Sequence, residues 1–144
     1  MSGLLRRRMM MARATVPAPI TLVNGTYASG KLDVTNGNTL SLSSPSQWVN
    51  ILIPITKTLS VNANDTISFC LVSLTAGKNM TFGITRQSKT NIPIVSATKP
   101  VKGQWYTVTI DEDSVISGVY YQPREVNDTR TIVISLMHNS DVLF

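Results

Sequence analysis

From Ile20 onward apolar and polar residues alternate in short runs broken by Asn, Gly and Asp, and no run holds a helical period. Alternation places successive side chains on opposite faces of a strand, so the pattern predicts strands joined by turns. In "KLDVTNGNTLSL", Leu32 and Val34 answer Leu40 and Leu42 across Asn36-Gly37, a pair that accepts two successive positive φ angles; this predicts a hairpin with one buried face per arm. "QWVNILIPITKTLSV" alternates Val49, Ile51, Ile53 and Ile55 against Trp48 and Leu52. Pro54 has no N–H to give a ladder, so this strand is expected at a sheet edge or with a bulge.

"TISFCLVSL" is apolar on both faces, as a central strand covered on both sides would be. Alternation returns in "KNMTFGITR" (Met80, Phe82, Ile84), in "GQWYTVTID" (Tyr106, Val108, Ile110) and in "RTIVISLMH" (Ile132, Ile134, Leu136), with a short strand at "SGVYYQ". About eight to ten short strands without helices predict an all-β fold, an antiparallel β-sandwich of jelly-roll type or a barrel. The terminal "DVLF" either completes the last strand or reaches into a neighbouring subunit.

The first nineteen residues break the pattern. "MSGLLRRRMMMAR" leads into Pro17 and Pro19, which stop any helix early. The chain has 144 residues and a net charge of +5, and its first acidic residue is Asp33. Arg6, Arg7, Arg8, Arg13 and Lys31 precede that point, while the eight remaining basic residues balance the eight acidic ones. Four of the five excess charges therefore belong to an extended basic N-terminal arm, residues 1–19, ahead of a nearly neutral sandwich domain, residues 20–144.

The arm carries the first candidate site: Leu4, Leu5, Arg6, Arg7, Arg8, Met9, Met10, Met11 and Arg13. Planar guanidinium forks bind carboxylates in pairs of parallel bonds, and flexible Leu and Met side chains fill irregular apolar pockets, so the arm suits a protein partner with an acidic groove. A mitochondrial presequence is a lesser reading of the same residues, and nucleic acid is not an expected partner. No run is long enough to span a bilayer as a helix, and no membrane role is expected.

Catalysis finds few parts. His138 is the sole histidine, Cys70 sits within the apolar run, and no motif pairs carboxylates, cradles phosphate or spaces metal ligands; no enzyme activity, cofactor or metal is expected. "IDEDS" gathers Asp111, Glu112 and Asp113, read as a solvated turn. Trp48, Trp105, Tyr106, Tyr120 and Tyr121 offer flat rings for stacking on sugars, although burial is expected for most. Tyr120 and Tyr121 are adjacent on one strand and must face opposite ways, so one is expected to be exposed; they are the candidate glycan contacts.

Two resemblances follow. The order "SQWVNI", "LSVNANDTISFCLVSL", "MTFGIT" and "VKGQWYTVTI" resembles the jelly-roll sandwich of carbohydrate-binding modules over about residues 30–137. "GLLRRRMMM" resembles the opening of virion proteins of bacteriophages from gut Bacteroidales, including the crAss-like group. Together they imply a structural protein displayed on a phage particle and made in the host cytoplasm. An auxiliary capsid (decoration) protein is expected first. Its arm would bind the major capsid protein or another virion subunit within a symmetric assembly, and its sandwich could hold host-associated glycans. The alternatives are a head-fibre or tail-appendage subunit, and a carbohydrate-binding module.

Overall fold

The computed structural model describes residues 19–25, 31–75 and 78–144. Ten strands are found among them: β1 (Lys31–Thr35), β2 (Thr39–Ser44), β3 (Ile51–Val61), β4 (Thr66–Leu74), β5 (Met80–Arg86), β6 (Lys89–Thr98), β7 (Trp105–Thr109), β8 (Ser114–Pro123), β9 (Asp128–His138) and β10 (Asp141–Val142). They form two antiparallel sheets. One runs β1-β2-β9-β4-β7 with β10 added to β9, and the other runs β3-β8-β5-β6. The all-β sandwich expected from the alternating pattern is thus the observed fold.

The inner faces follow the alternation. Leu32, Leu40, Ile67, Phe69, Ile132 and Ile134 on the six-stranded sheet meet Ile51, Ile53, Met80, Phe82, Ile84 and Val119 on the four-stranded one, all of them buried. Phe69 and Phe82 stack across the interface with ring centroids 4.3 Å apart, in the range where aromatic pairs add to area burial. β4 lies inside its sheet between β9 and β7, and Ile67 to Leu71 are buried, but Val72 is 48% exposed, so the expected coverage of both faces holds for only part of the strand.

The hairpin forms where expected. Asn36 and Gly37 take φ of 55° and 70°, and the Asn38 N–H donates to the Thr35 carbonyl at 3.3 Å. β3 is an edge strand whose register shifts after Pro54, as that proline requires. Its open side is partly covered by residues 21–23: Leu22 bridges Ile55, the Val23 N–H donates to the Pro54 carbonyl at 3.0 Å, and the Thr56 N–H donates to the Thr21 carbonyl at 2.9 Å. At the C-terminus Asp141 and Val142 pair with His138 and Met137, so "DVLF" folds back onto its own β9.

Each end of the sandwich is plugged by an arginine. At one end Arg130 and Asp128 of β9 meet Tyr121 of β8, all buried. The Tyr121 hydroxyl donates to Asp128 Oδ2 at 2.5 Å and accepts from Arg130 Nε at 3.1 Å and from Nη2. Asp128 Oδ1 lies 3.1 Å from Arg130 Nε but off the line of a hydrogen bond, so charge rather than hydrogen bonding holds it. At the other end Arg86 of β5 donates to Asp111 Oδ1 at 2.6 Å, to Ser114 Oγ at 3.1 Å and to the Thr90 carbonyl at 2.9 Å. The acidic turn is thereby tied to the fold: Glu112 pairs with Lys89 at 3.1 Å, and Asp113 Oδ1 accepts the Ala63 N–H at 2.9 Å.

Candidate functional site

The outer face of the four-stranded sheet is assembled from the residues that alternate away from the core. β3 contributes Leu52 and Pro54, β8 contributes Ser117, Gly118, Tyr120 and Gln122, β5 contributes Thr81, Gly83 and Thr85, and β6 contributes Asn91 and Pro93. A depression of about 440 Å³ lies over its middle, lined by Leu52, Pro54, Thr85, Asn91 and Ser117, none of them charged. Arg86 reaches the same depression, but its guanidinium is committed to Asp111, Ser114 and Thr90. A second depression of about 400 Å³ lies further along, beside Ser60, Gln87, Ser88, Lys89 and Asp113.

Two glycines flatten this face. A Cβ on Gly83 would stand 2.2 Å from the Ile92 carbonyl oxygen and 2.6 Å from Tyr120 Cε1; one on Gly118 would stand 2.4 Å from the Ile53 carbonyl oxygen. Without those side chains the neighbouring backbones close in, and the Tyr120 ring settles over Gly83 rather than standing out from the sheet. The expectation that one of the adjacent tyrosines is exposed is therefore corrected. They do face opposite ways, yet Tyr120 is only 6% exposed and Tyr121 is fully buried in the end plug. Tyr121 is turned into the core, and Tyr120 lies within the sheet against Gly83. Desolvation raises both phenols above the ordinary tyrosine range.

The tryptophans reverse the expectation of burial. Trp48, on the loop entering β3, is 56% exposed, and Trp105 at the outer edge of β7 is 41% exposed. Trp48 has φ of 70°, a conformation that costs a bulky residue of order 1–3 kcal/mol and persists only where its surroundings dictate it. Here they do: the Trp48 N–H donates to the Pro123 carbonyl at 2.8 Å, and Gln122 Nε2 donates to the Trp48 carbonyl at 3.3 Å and to Asn50 Oδ1 at 3.1 Å. The Arg124 guanidinium lies 3.8 Å from the centre of the indole and donates to Gln122 Oε1 at 2.8 Å. This corner adjoins the outer face through Gln122. Alternation marks Trp48 as facing away from the core, but its Arg124 partner is not visible in any local pattern.

Elsewhere the chemistry is sparse. His138 Nε2 and Asp65 Oδ2 lie 2.9 Å apart at one end of β9; Asp65 is held below the usual carboxylate range, chiefly by the Asn62 backbone N–H and then by His138. Cys70 is buried. Among the described residues no three His, Cys, Asp or Glu side chains gather as a metal site would need. The arm residues Leu4, Leu5, Arg6, Arg7, Arg8, Met9, Met10, Met11 and Arg13 lie outside the described residues.

No known family's profile matches the sequence, and no curated protein matches it. Among solved structures the fold is similar to that of CBM86, a low-affinity xylan-binding module from the gut symbiont Roseburia intestinalis, with 14% identity and a TM-score of 0.55 over 81% of this chain and 86% of that module. At that identity the likeness is one of fold: this chain is a β-sandwich of the kind on which a carbohydrate-binding module is built.

Proposed function

We propose that the protein binds polysaccharide on the outer face of its four-stranded sheet, without chemistry. The observation that carries this reading is the face itself: an open depression lined by hydroxyl, amide and aliphatic side chains and by the internally paired Arg86, on a sheet whose strands approach closely at Gly83 and Gly118. Sugars present both hydroxyls and C–H faces, so such a surface matches them in kind. Similarity to the xylan-binding module supports the reading through fold. A shallow open site buries little of its ligand, so single contacts are weak and firm attachment comes from multiplicity. Amide shifts recorded while xylo-oligosaccharides are titrated into labelled protein test the placement. Perturbations should concentrate at Leu52, Thr85, Asn91 and Ser117; perturbations confined to the six-stranded sheet would refute it.

A second reading, favoured by the partition of charge, sets this binding face on a phage particle as an auxiliary capsid protein or, failing that, a head-fibre or tail subunit. Five basic residues and no acidic one precede Asp33, whereas the rest of the chain is neutral. In this reading residues 1–19 peg the protein to an acidic groove on the shell, and the sandwich tethers the particle to glycans near its host. Co-sedimentation with purified capsids should require the arm. Equal sedimentation of the full chain and of residues 20–144 would end this reading and leave glycan binding untouched.

A further inference from the structure

We infer that the Trp48–Arg124 corner is a subsite for a carboxylate-bearing sugar, so that the ligand of the sheet face is an acidic, uronate-containing polysaccharide. The inference rests on the glycan reading above and adds the chemical class of the ligand. Three arginines lie among the described residues. Arg86 is paired with Asp111 and Arg130 with Asp128, each through a close ionic contact. Arg124 differs: its one hydrogen bond goes to the neutral Gln122, and among the described residues no carboxylate meets it.

The guanidinium is nevertheless fixed. It lies against the Trp48 indole and is tied to Gln122, whose amide also holds Asn50 and the Trp48 carbonyl. A guanidinium held in place before binding has already given up its side-chain freedom, so little more is lost when an anion arrives. Its remaining donors form a planar fork that matches a carboxylate in two parallel bonds. Beside it the exposed part of the indole offers an apolar surface for a pyranose ring. A phosphate would answer the same fork, but the fork stands against an exposed indole that a pyranose ring can cover and a phosphate cannot, which favours a sugar acid within a longer chain. Trp48 at positive φ and more than half exposed contributes little to the core, and the outward indole is what that strain secures.

The test uses the full chain and matched polymers: glucuronoxylan, polygalacturonate and alginate, each beside the same polymer with its carboxylates reduced to neutral alcohols, with affinity read by calorimetry. The wild type should prefer at least one acidic polymer over its neutral partner by about tenfold, as expected for hydrogen bonds to a charged group, and the preference should shrink as salt rises. Arg124→Gln should abolish the preference while keeping the neutral-polymer affinity, which also shows that the variant folds. Arg124→Lys, which retains charge but not the fork, should fall between. Equal binding of acidic and neutral polymers by the wild type, or a preference that survives Arg124→Gln, would overturn the subsite and leave the sheet-face reading standing. Absence of binding to every polymer would overturn both.

Discussion

Removing the Asp128 charge should unfold the protein more readily than any change on its outer faces. Asp128 and Arg130 are both fully buried and 3.1 Å apart. At a charge separation of about 4 Å and an effective dielectric constant of about 20, their attraction is about 4 kcal/mol. Desolvation costs several kcal/mol for each ion, so the pair as a whole contributes little net stability. Breaking it is another matter, because Asp128→Asn removes the carboxylate that faces the buried Arg130 guanidinium while its charge stays out of water. The expected loss is about 3–5 kcal/mol. With a urea slope of about 2 kcal/mol per molar, the midpoint should fall by about 1.5–2.5 M. Arg130→Met should cost a similar amount. The double variant, which buries no charge, should recover most of the loss, giving a coupling of about 3 kcal/mol in the cycle. Losses below about 1 kcal/mol for each single change, or additive losses in the double, would refute the account of the plug.

Three further outcomes follow from the geometry. Gly83→Ala forces a Cβ against the Ile92 carbonyl oxygen at 2.2 Å, where only movement of β6 gives relief; chemical denaturation should show a loss of about 1–3 kcal/mol, and glycan binding should weaken with it, whereas a neutral effect would mean that β6 yields easily. Asp111 is held below the ordinary carboxylate range, first by its hydrogen bond from Arg86, and Asp65 is depressed likewise. Their stabilisation is present above about pH 4 and lost as pH falls through the depressed values, so Asp111→Asn should flatten the acid limb of a plot of melting temperature against pH. Tyr120 and Tyr121 are raised; their contribution is present below about pH 10 and lost above it, so phenolate absorbance for these two should emerge late and together with unfolding.

The sandwich was legible because burial on one face imposes a period of two, and most strands obey it. Leu32 to Leu42, Ile51 to Ile55 and Ile132 to Leu136 announce their inward faces by spacing alone. β6 was not announced, because its register against β5 shifts repeatedly and Pro93 interrupts it, so Ile92, Ile94 and Val95 show no clean alternation. The site was less legible than the fold. Opposite facing of Tyr120 and Tyr121 follows from strand geometry, but exposure depends on what lies across the ladder, and a glycine there let the Tyr120 ring sink. The signal was present in "MTFGIT": a glycine inside a strand marks a close approach. Trp48 and Arg124 meet across seventy-six positions through a backbone turn at positive φ, a contact that only the folded register of β3 on β8 creates.

The sheet-face claim is tested most directly by affinity electrophoresis of the full chain through gels containing xylan or the acidic polymers above, with Leu52→Asp beside Val72→Asp. Leu52 borders the central depression and is 47% exposed, whereas Val72 is comparably exposed on the other sheet, so both variants should fold. Retardation should fall by about tenfold or more in apparent affinity for Leu52→Asp, whose charge must lose water beneath a bound chain, and should be unchanged for Val72→Asp. Retardation that survives Leu52→Asp, or that is lost equally in Val72→Asp, would contradict binding on the four-stranded face.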